Sequence, residues 1–262
     1  MKTRIVLAGS FVIFLVSLSS FQITSTAAVN GEAGIVNFSD SSVSGYEIAA
    51  FKHAVFYVQG SWIVPKLNCT TGDGTVEQWV GMDSRELAGT IESCAGNGIL
   101  IMSAFYELPT TTMVFVNLNL KAGDMINAYV FFHKKSFSVY IADKNQSTSK
   151  FVSCSFCSGF RSIAQWVIER PYDCNSFVCT LSPLPNFGTQ KFGANYTGGY
   201  SDSAELFSPF APVATIGSYS TNSLVTIYEI TMLSDANASR VLASASSLVN
   251  NESFSVQWQA YD

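Results

Sequence analysis

Ile163-Ala-Gln-Trp-Val-Ile-Glu-Arg-Pro171 is the stretch on which the fold reading turns. Side chains alternate across a strand with period two, so Ala164, Trp166 and Ile168 share one side and Gln165, Val167 and Glu169 the other. The first set is apolar and reads as core. The second puts a carboxylate and a carboxamide on the opposite face, which suits either an ordinary solvated surface or the floor of a binding cleft. Segments of the same kind lie on both sides: Ala54–Tyr57 running into Gly60–Pro65, then Glu77–Met82, Gly98–Tyr106, Thr112–Leu118, Met125–His133, Phe137–Asp143, Thr189–Ala194, Leu224–Thr231 and Phe254–Trp258. Each is short, rich in β-branched or aromatic residues and bounded by turn formers. Helical periodicity is confined to a weak pattern over Ser239–Leu248. Many short strands without interleaved helices predict an all-β sandwich or barrel.

The first residues belong to another kind of segment. Lys2 and Arg4 precede an apolar run from Ile5 to Leu18, and Thr26, Ala27 and Ala28 follow. This is the pattern of a secretory signal over residues 1–28. The run of about 14 residues is short for the roughly 20 of a membrane span; an uncleaved anchor is the competing reading. Without Lys2 and Arg4 the chain keeps 12 basic against 19 acidic side chains, a net charge of about −7. That argues against nucleic acid or an anionic membrane as partner. Only 13% of residues are charged, and a surface built mainly from Ser, Thr and Asn suits an acidic medium.

An exported chain makes disulfides the expected state of Cys69, Cys94, Cys154, Cys157, Cys174 and Cys179. Six cysteines allow 15 pairings. Cys174 and Cys179 bracket four residues, a spacing that suits a small hairpin staple, and the pairing of Cys69, Cys94, Cys154 and Cys157 stays open. Cys154-Ser-Phe-Cys157 as half of a zinc site lacks a second such pair, and only His53 and His133 are available, so no metal and no cofactor is expected. Six Asn-x-Ser/Thr sequons, at Asn37, Asn68, Asn145, Asn195, Asn237 and Asn251, mark candidate N-glycan positions and a secreted or cell-surface location.

Three strings, in order, resemble the glutamic-peptidase (eqolisin, or peptidase G1, formerly A4) family: Gln59-Gly-Ser-Trp-Ile-Val-Pro65, Gln78-Trp-Val-Gly-Met-Asp83 and Ala164-Gln-Trp-Val-Ile-Glu-Arg-Pro171. Weaker likenesses fill the gaps at Ala104-Phe-Tyr-Glu-Leu-Pro109, Ala122-Gly-Asp-Met-Ile126 and Asn186-Phe-Gly-Thr189. The resemblance implies a bent antiparallel β-sandwich of concanavalin-like or jelly-roll type, with a cleft on its concave sheet. One such domain over 44–262, after a short segment 29–43, is then expected. It also implies a disulfide loop at Cys174/Cys179, just after the catalytic strand.

Peptide hydrolysis needs a base for water, an acid for the leaving amine and a donor for the oxyanion. The resemblance implies that Glu169 performs the proton transfers in a secreted acid endopeptidase acting on polypeptide. The family's oxyanion-binding Gln is absent; the matching position holds Ser93. Three readings follow: Ser93 as a weaker donor with reduced activity, a shifted register that turns Glu92 toward Glu169 as a carboxylate pair, or a non-catalytic relative that binds peptide or glycan. Trp79, Asp83, Glu107 and Gln165 carry over as candidate cleft residues, Gln165 also as a stand-in carboxamide. A Ser-His-Asp triad fares worse, since neither histidine lies near a Gly-x-Ser-x-Gly string, and the paired Asp-Thr/Ser-Gly strings of pepsin-like enzymes are missing.

Overall fold

The computed structural model describes residues 34–70, 72–96, 98–174 and 178–262; the expected signal lies outside them. In chain order the strands are β1 (Ile35–Asp40), β2 (Val43–Ala49), β3 (Val55–Ile63), β4 (Gly74–Met82), β5 (Glu86–Ala95), β6 (Ile99–Glu107), β7 (Val114–Val116), β8 (Met125–His133), β9 (Ser136–Asp143) and β10 (Thr148–Ser155). They continue as β11 (Ile163–Glu169), β12 (Tyr172–Cys174), β13 (Cys179–Leu181), β14 (Thr189–Phe192), β15 (Ser203–Leu206), β16 (Ala214–Thr215), β17 (Thr226–Leu233), β18 (Val241–Ala245) and β19 (Phe254–Trp258). The weak helical pattern over Ser239–Leu248 is not realised. Val241–Ala245 pairs with both β17 and β19, and pairing on two sides overrides the helix propensity of Ala and Leu.

One layer of the sandwich runs β1-β17-β2-β11-β4-β5-β6-β7, antiparallel except for the parallel β1–β17 pair. The other is built on β10-β9-β8-β3, with β15 beside β3, and β14 carrying the chain on to β19 and β18. β17 joins the layers, leaving β2 after Ile230 and pairing with β18 from Thr231 onward. Inner faces of the two layers interdigitate as a sandwich core: Tyr46, Ile48, Val80, Ala88, Ala164, Trp166 and Ile168 from the first against Val58, Trp62, Ile126, Val130 and Ile141 from the second. Buried indoles need partners. Trp62 Nε1 donates to Thr90 Oγ1 at 2.9 Å, and Thr90 passes the chain to Gln78 Oε1 at 3.1 Å. Trp166 Nε1 reaches Gln59 O at 2.7 Å. Both links cross between layers and fix their relative position.

β11 sits between β2 and β4, bonded on both edges. Gly45 of β2, with φ 145°, lies against the Trp166 carbonyl and Val167 Cα, where any Cβ would collide. At the exit of β11 the buried guanidinium of Arg170 donates to Ser182 O at 2.9 Å and Asp262 Oδ2 at 2.7 Å. A weaker bond reaches Ser41 O at 3.4 Å. Three distant segments are thus tied to the end of one strand. The disulfides pair Cys69–Cys94, Cys154–Cys157 and Cys174–Cys179. The short Cys154 loop is therefore a covalent staple, with neither thiol left for a metal. All six sequon asparagines are exposed.

Several carboxyls are buried without full pairing. Glu92 lies on the inner face, 0% exposed, with Thr90 and Gln78 as its polar neighbours. Burial pushes it up to about 8, and Glu86 likewise, the latter helped by Asp83. Such groups are protonated in the fold and ionise near 4.5 when unfolded. Their contribution is complete below about pH 4.5 and is lost as pH rises through about 8, because the folded state binds the extra protons. The midpoint of thermal unfolding should therefore fall between pH 5 and pH 9, with a shallower slope in Glu92→Gln; a midpoint that rises over this range contradicts the assignment. Replacing Arg170 by Met should cost about 2–4 kcal/mol in chemical denaturation, since it strands carbonyls and a carboxylate.

Candidate active site

Residues directly opposite one another in an antiparallel pair project from the same face. On the outer face of the first layer this rule lays out three rows. Glu169, Glu77, Ile91 and Ser103 form one; Val167, Trp79, Gly89 and Phe105 the next; Gln165, Gly81, Leu87 and Glu107 the third. Trp79, Leu87, Phe105 and Val167 make an apolar cluster here, separate from the sandwich core, with Val43, Ile91 and Met113 packed against it. Gly89 makes room for the rings: an added Cβ would lie 2.7 Å from both Phe105 Cζ and Trp79 Cβ. The middle row is therefore an apolar platform, and the acidic groups stand along its edges.

Glu169 is half-buried at one such edge. Trp79 Nε1 donates to its Oε2 at 2.7 Å. Burial raises the carboxyl to about 7; the indole bond opposes the rise, while Glu107 and Asp40 add to it. Beside it, Glu77 is 4% exposed and its Oε1 has no partner. Burial, then the charge of Glu169, then Glu107 and Glu92, push Glu77 to about 9. The pair is asymmetric for a physical reason: Glu77 is still neutral while Glu169 titrates, so within the pair only Glu77 meets its partner's charge. The sequence reading missed Glu77. The signal was the alternation in Val76-Glu-Gln-Trp79, which puts Glu77 on the face of Trp79.

The other candidates are distributed unevenly. Ser93 is on the outer face but one pair beyond the Glu169 row, opposite Thr75, with their hydroxyls 3.0 Å apart. The register that would turn Glu92 to this face is not adopted, because β5 pairs without a bulge against both β4 and β6, and Glu92 faces the core. Gln165 is four residues along β11, roughly 13 Å from Glu169 at strand spacing. Its amide is engaged at both ends, by Ser84 Oγ at 2.8 Å and Glu47 Oε2 at 3.0 Å. Asp83 Oδ1 accepts from Ser162 N, Ser162 Oγ and Ile163 N at 2.9–3.0 Å, tying the β4–β5 turn to the start of β11. Glu107 stands at the far corner of the grid, where Arg85 counteracts its burial. The Cys174–Cys179 bond closes the β12–β13 hairpin, and the Tyr172 hydroxyl of that hairpin is within electrostatic reach of Glu169. Among the described residues, no cluster of His, Cys, Asp or Glu has metal-binding geometry.

The fold is a two-layered, largely antiparallel β-sandwich with an acidic face beside an apolar platform. A sequence profile of the peptidase A4 family matches residues 41–252, and the chain belongs to that family. Scytalido-glutamic peptidase with a transition state analog inhibitor is similar in structure: TM-score 0.61, 18% identity, 83% of this chain and 98% of the other covered. SCP-B, a member of the eqolisin family of peptidases in a complex with the tripeptide Ala-Ile-His, gives TM-score 0.56 at 18% identity, over 84% and 99% of the two chains. Comparison with curated protein sequences gives no match.

The indole bond holds the ionised form of Glu169, so Trp79→Phe should raise the Glu169 titration by about 1 unit. Carboxyl ¹³C NMR checks this; a downward shift would show that the bond does not stabilise the carboxylate.

Proposed function

We propose that the protein is an exported endopeptidase in which Glu169 removes the proton from the attacking water and returns it to the leaving amine. The observation that carries this reading is the half-buried Glu169 carboxyl, raised to about 7 and held by the Trp79 indole at 2.7 Å. A base poised near the working pH combines availability with proton affinity. The peptide-based ligands named for the similar structures, a transition state analog in scytalido-glutamic peptidase and Ala-Ile-His in SCP-B, support polypeptide as the substrate class. Three disulfides and the signal-like start of the chain support an extracellular setting.

Water adds to the scissile carbonyl as its proton passes to Glu169. The tetrahedral intermediate then collapses, its C–N bond breaks, and Glu169 gives that proton to the nitrogen. Carboxylic acid and amine are the products, and Glu169 ends as the carboxylate it began as. Below about pH 7 the ionised fraction of Glu169 falls tenfold per unit, and the rate should fall with it.

The second reading, a non-catalytic relative that binds peptide or glycan in the cleft, is favoured by one observation. The outer-face positions of β5 are Leu87, Gly89, Ile91 and Ser93, none of which supplies an amide donor. Hydrolysis of a denatured protein between pH 3 and pH 9 separates the two. The peptidase reading expects cleavage by the wild type, lowered about 10²–10⁴-fold in Glu169→Gln. Equal rates for the two proteins sink the role of Glu169, and binding of peptide without cleavage at any pH selects the second reading.

A further inference from the structure

We propose that Glu77 is the second catalytic carboxyl, forming with Glu169 a proton-sharing pair and presenting a neutral O–H to the oxyanion of the substrate. The inference deepens the peptidase reading and rests on it.

Geometry carries the case. Glu77 and Glu169 are directly paired across β4 and β11, which sets their Cβ atoms roughly 4.5–5.5 Å apart on one face. Oε1 of Glu77 is buried and has no hydrogen-bond partner among the described residues. A buried polar atom without a partner costs free energy unless something else meets it, and here it lies beside the one carboxylate that accepts the Trp79 indole. The alternatives lack this freedom. Ser93 is one pair further along and shares its hydroxyl with Thr75; Gln165 is bound at both ends of its amide.

A protonated Glu and a Gln amide have the same length, and each can donate a hydrogen bond to an oxyanion without carrying charge. Glu77 thus offers, from the neighbouring strand, the donor that β5 lacks. Its environment keeps the proton in place: burial first, then Glu169, Glu107 and Glu92, oppose its ionisation, and burial, Glu107 and Asp40 act on Glu169. Of the positive groups, Arg85 acts on Glu107 and Arg170 on Tyr172, whose phenol is raised by burial and by Asp40 and Glu169. During addition, the carbonyl π pair moves to oxygen, which accepts the Glu77 O–H bond while the proton stays on Glu77. On collapse that pair re-forms the carbonyl, so Glu77 begins and ends protonated.

The test compares wild type, Glu77→Leu, Glu77→Gln and Glu169→Gln by pH profiles of kcat/KM on a denatured protein, with carboxyl ¹³C NMR titration of Glu169 in parallel. Wild type should show a bell, rising near pH 7 and falling near pH 9. Glu77→Leu should lose about 10²–10³-fold. Glu77→Gln, nearly isosteric and safe for folding, should stay within about tenfold of wild type and lose the falling limb, because an amide does not ionise. In the wild type the Glu169 carbon should report two steps, as coupled groups do, and in Glu77→Gln a single step. Glu77→Leu as active as wild type, or one identical step in both proteins, overturns the proposal. Absence of hydrolysis in the wild type overturns the peptidase reading and with it the donor role. The titration then decides the pair by itself: two steps against one uphold it, and one step in both removes it.

Discussion

Everything at the site depends on the register of β11, which is hydrogen-bonded along both edges. Ala164, Trp166 and Ile168 are locked into the core, and the Trp166 indole is bonded to the opposite layer. A slip of one residue would bury Glu169 and expose the tryptophan, since each such slip exchanges the two faces of a strand. Gly45 on one side and the Asp83 bonds to Ser162 and Ile163 at the start of the strand remove the remaining freedom. Arg170 closes the other end. The same register that places Glu169 places Glu77 beside it, so a single constraint produces the pair.

Burial does the rest of the electrostatic work. An outer sheet face would ordinarily leave a carboxyl near its solution value. Here the apolar platform of Trp79, Leu87, Phe105 and Val167 lowers the local polarity, and several acidic groups crowd its margin. The outcome is one carboxyl that ionises near neutrality and a second that does so later, which is the separation acid–base chemistry uses. Inside the sandwich, Glu86 and Glu92 follow the same rule without any such role, and their burial ties the stability of the fold to low pH.

Strands with a clear apolar alternation were legible in the sequence, among them Met125–His133, Ile163–Glu169 and the Trp62 segment. β5 was not, because Glu86-Leu-Ala-Gly-Thr-Ile-Glu-Ser-Cys-Ala95 carries polar groups on both faces. Thr90 and Glu92 point inward, where Trp62 and Gln78 account for the threonine. Which face Glu92 takes is a matter of pairing with β4 and β6, and no local pattern records it. Val43–Ala49 was missed for a related reason: Gly45 interrupts its alternation at the point of closest approach to β11. The helical pattern at Ser239–Leu248 gave way to strand pairing. Family strings drew attention to Glu169 and to the missing Gln, but Glu77 lies outside them and emerges only when β4 is set beside β11.

The central claim is that ionisation of Glu169 in its half-buried setting governs activity. Its most direct test is to measure the rising limb of kcat/KM against pH and the titration of the Glu169 carboxyl by ¹³C NMR on the same protein. The account predicts that the two coincide, near pH 7. A rising limb near pH 4 while the carboxyl titrates near 7, or a rate indifferent to pH across that range, would contradict it.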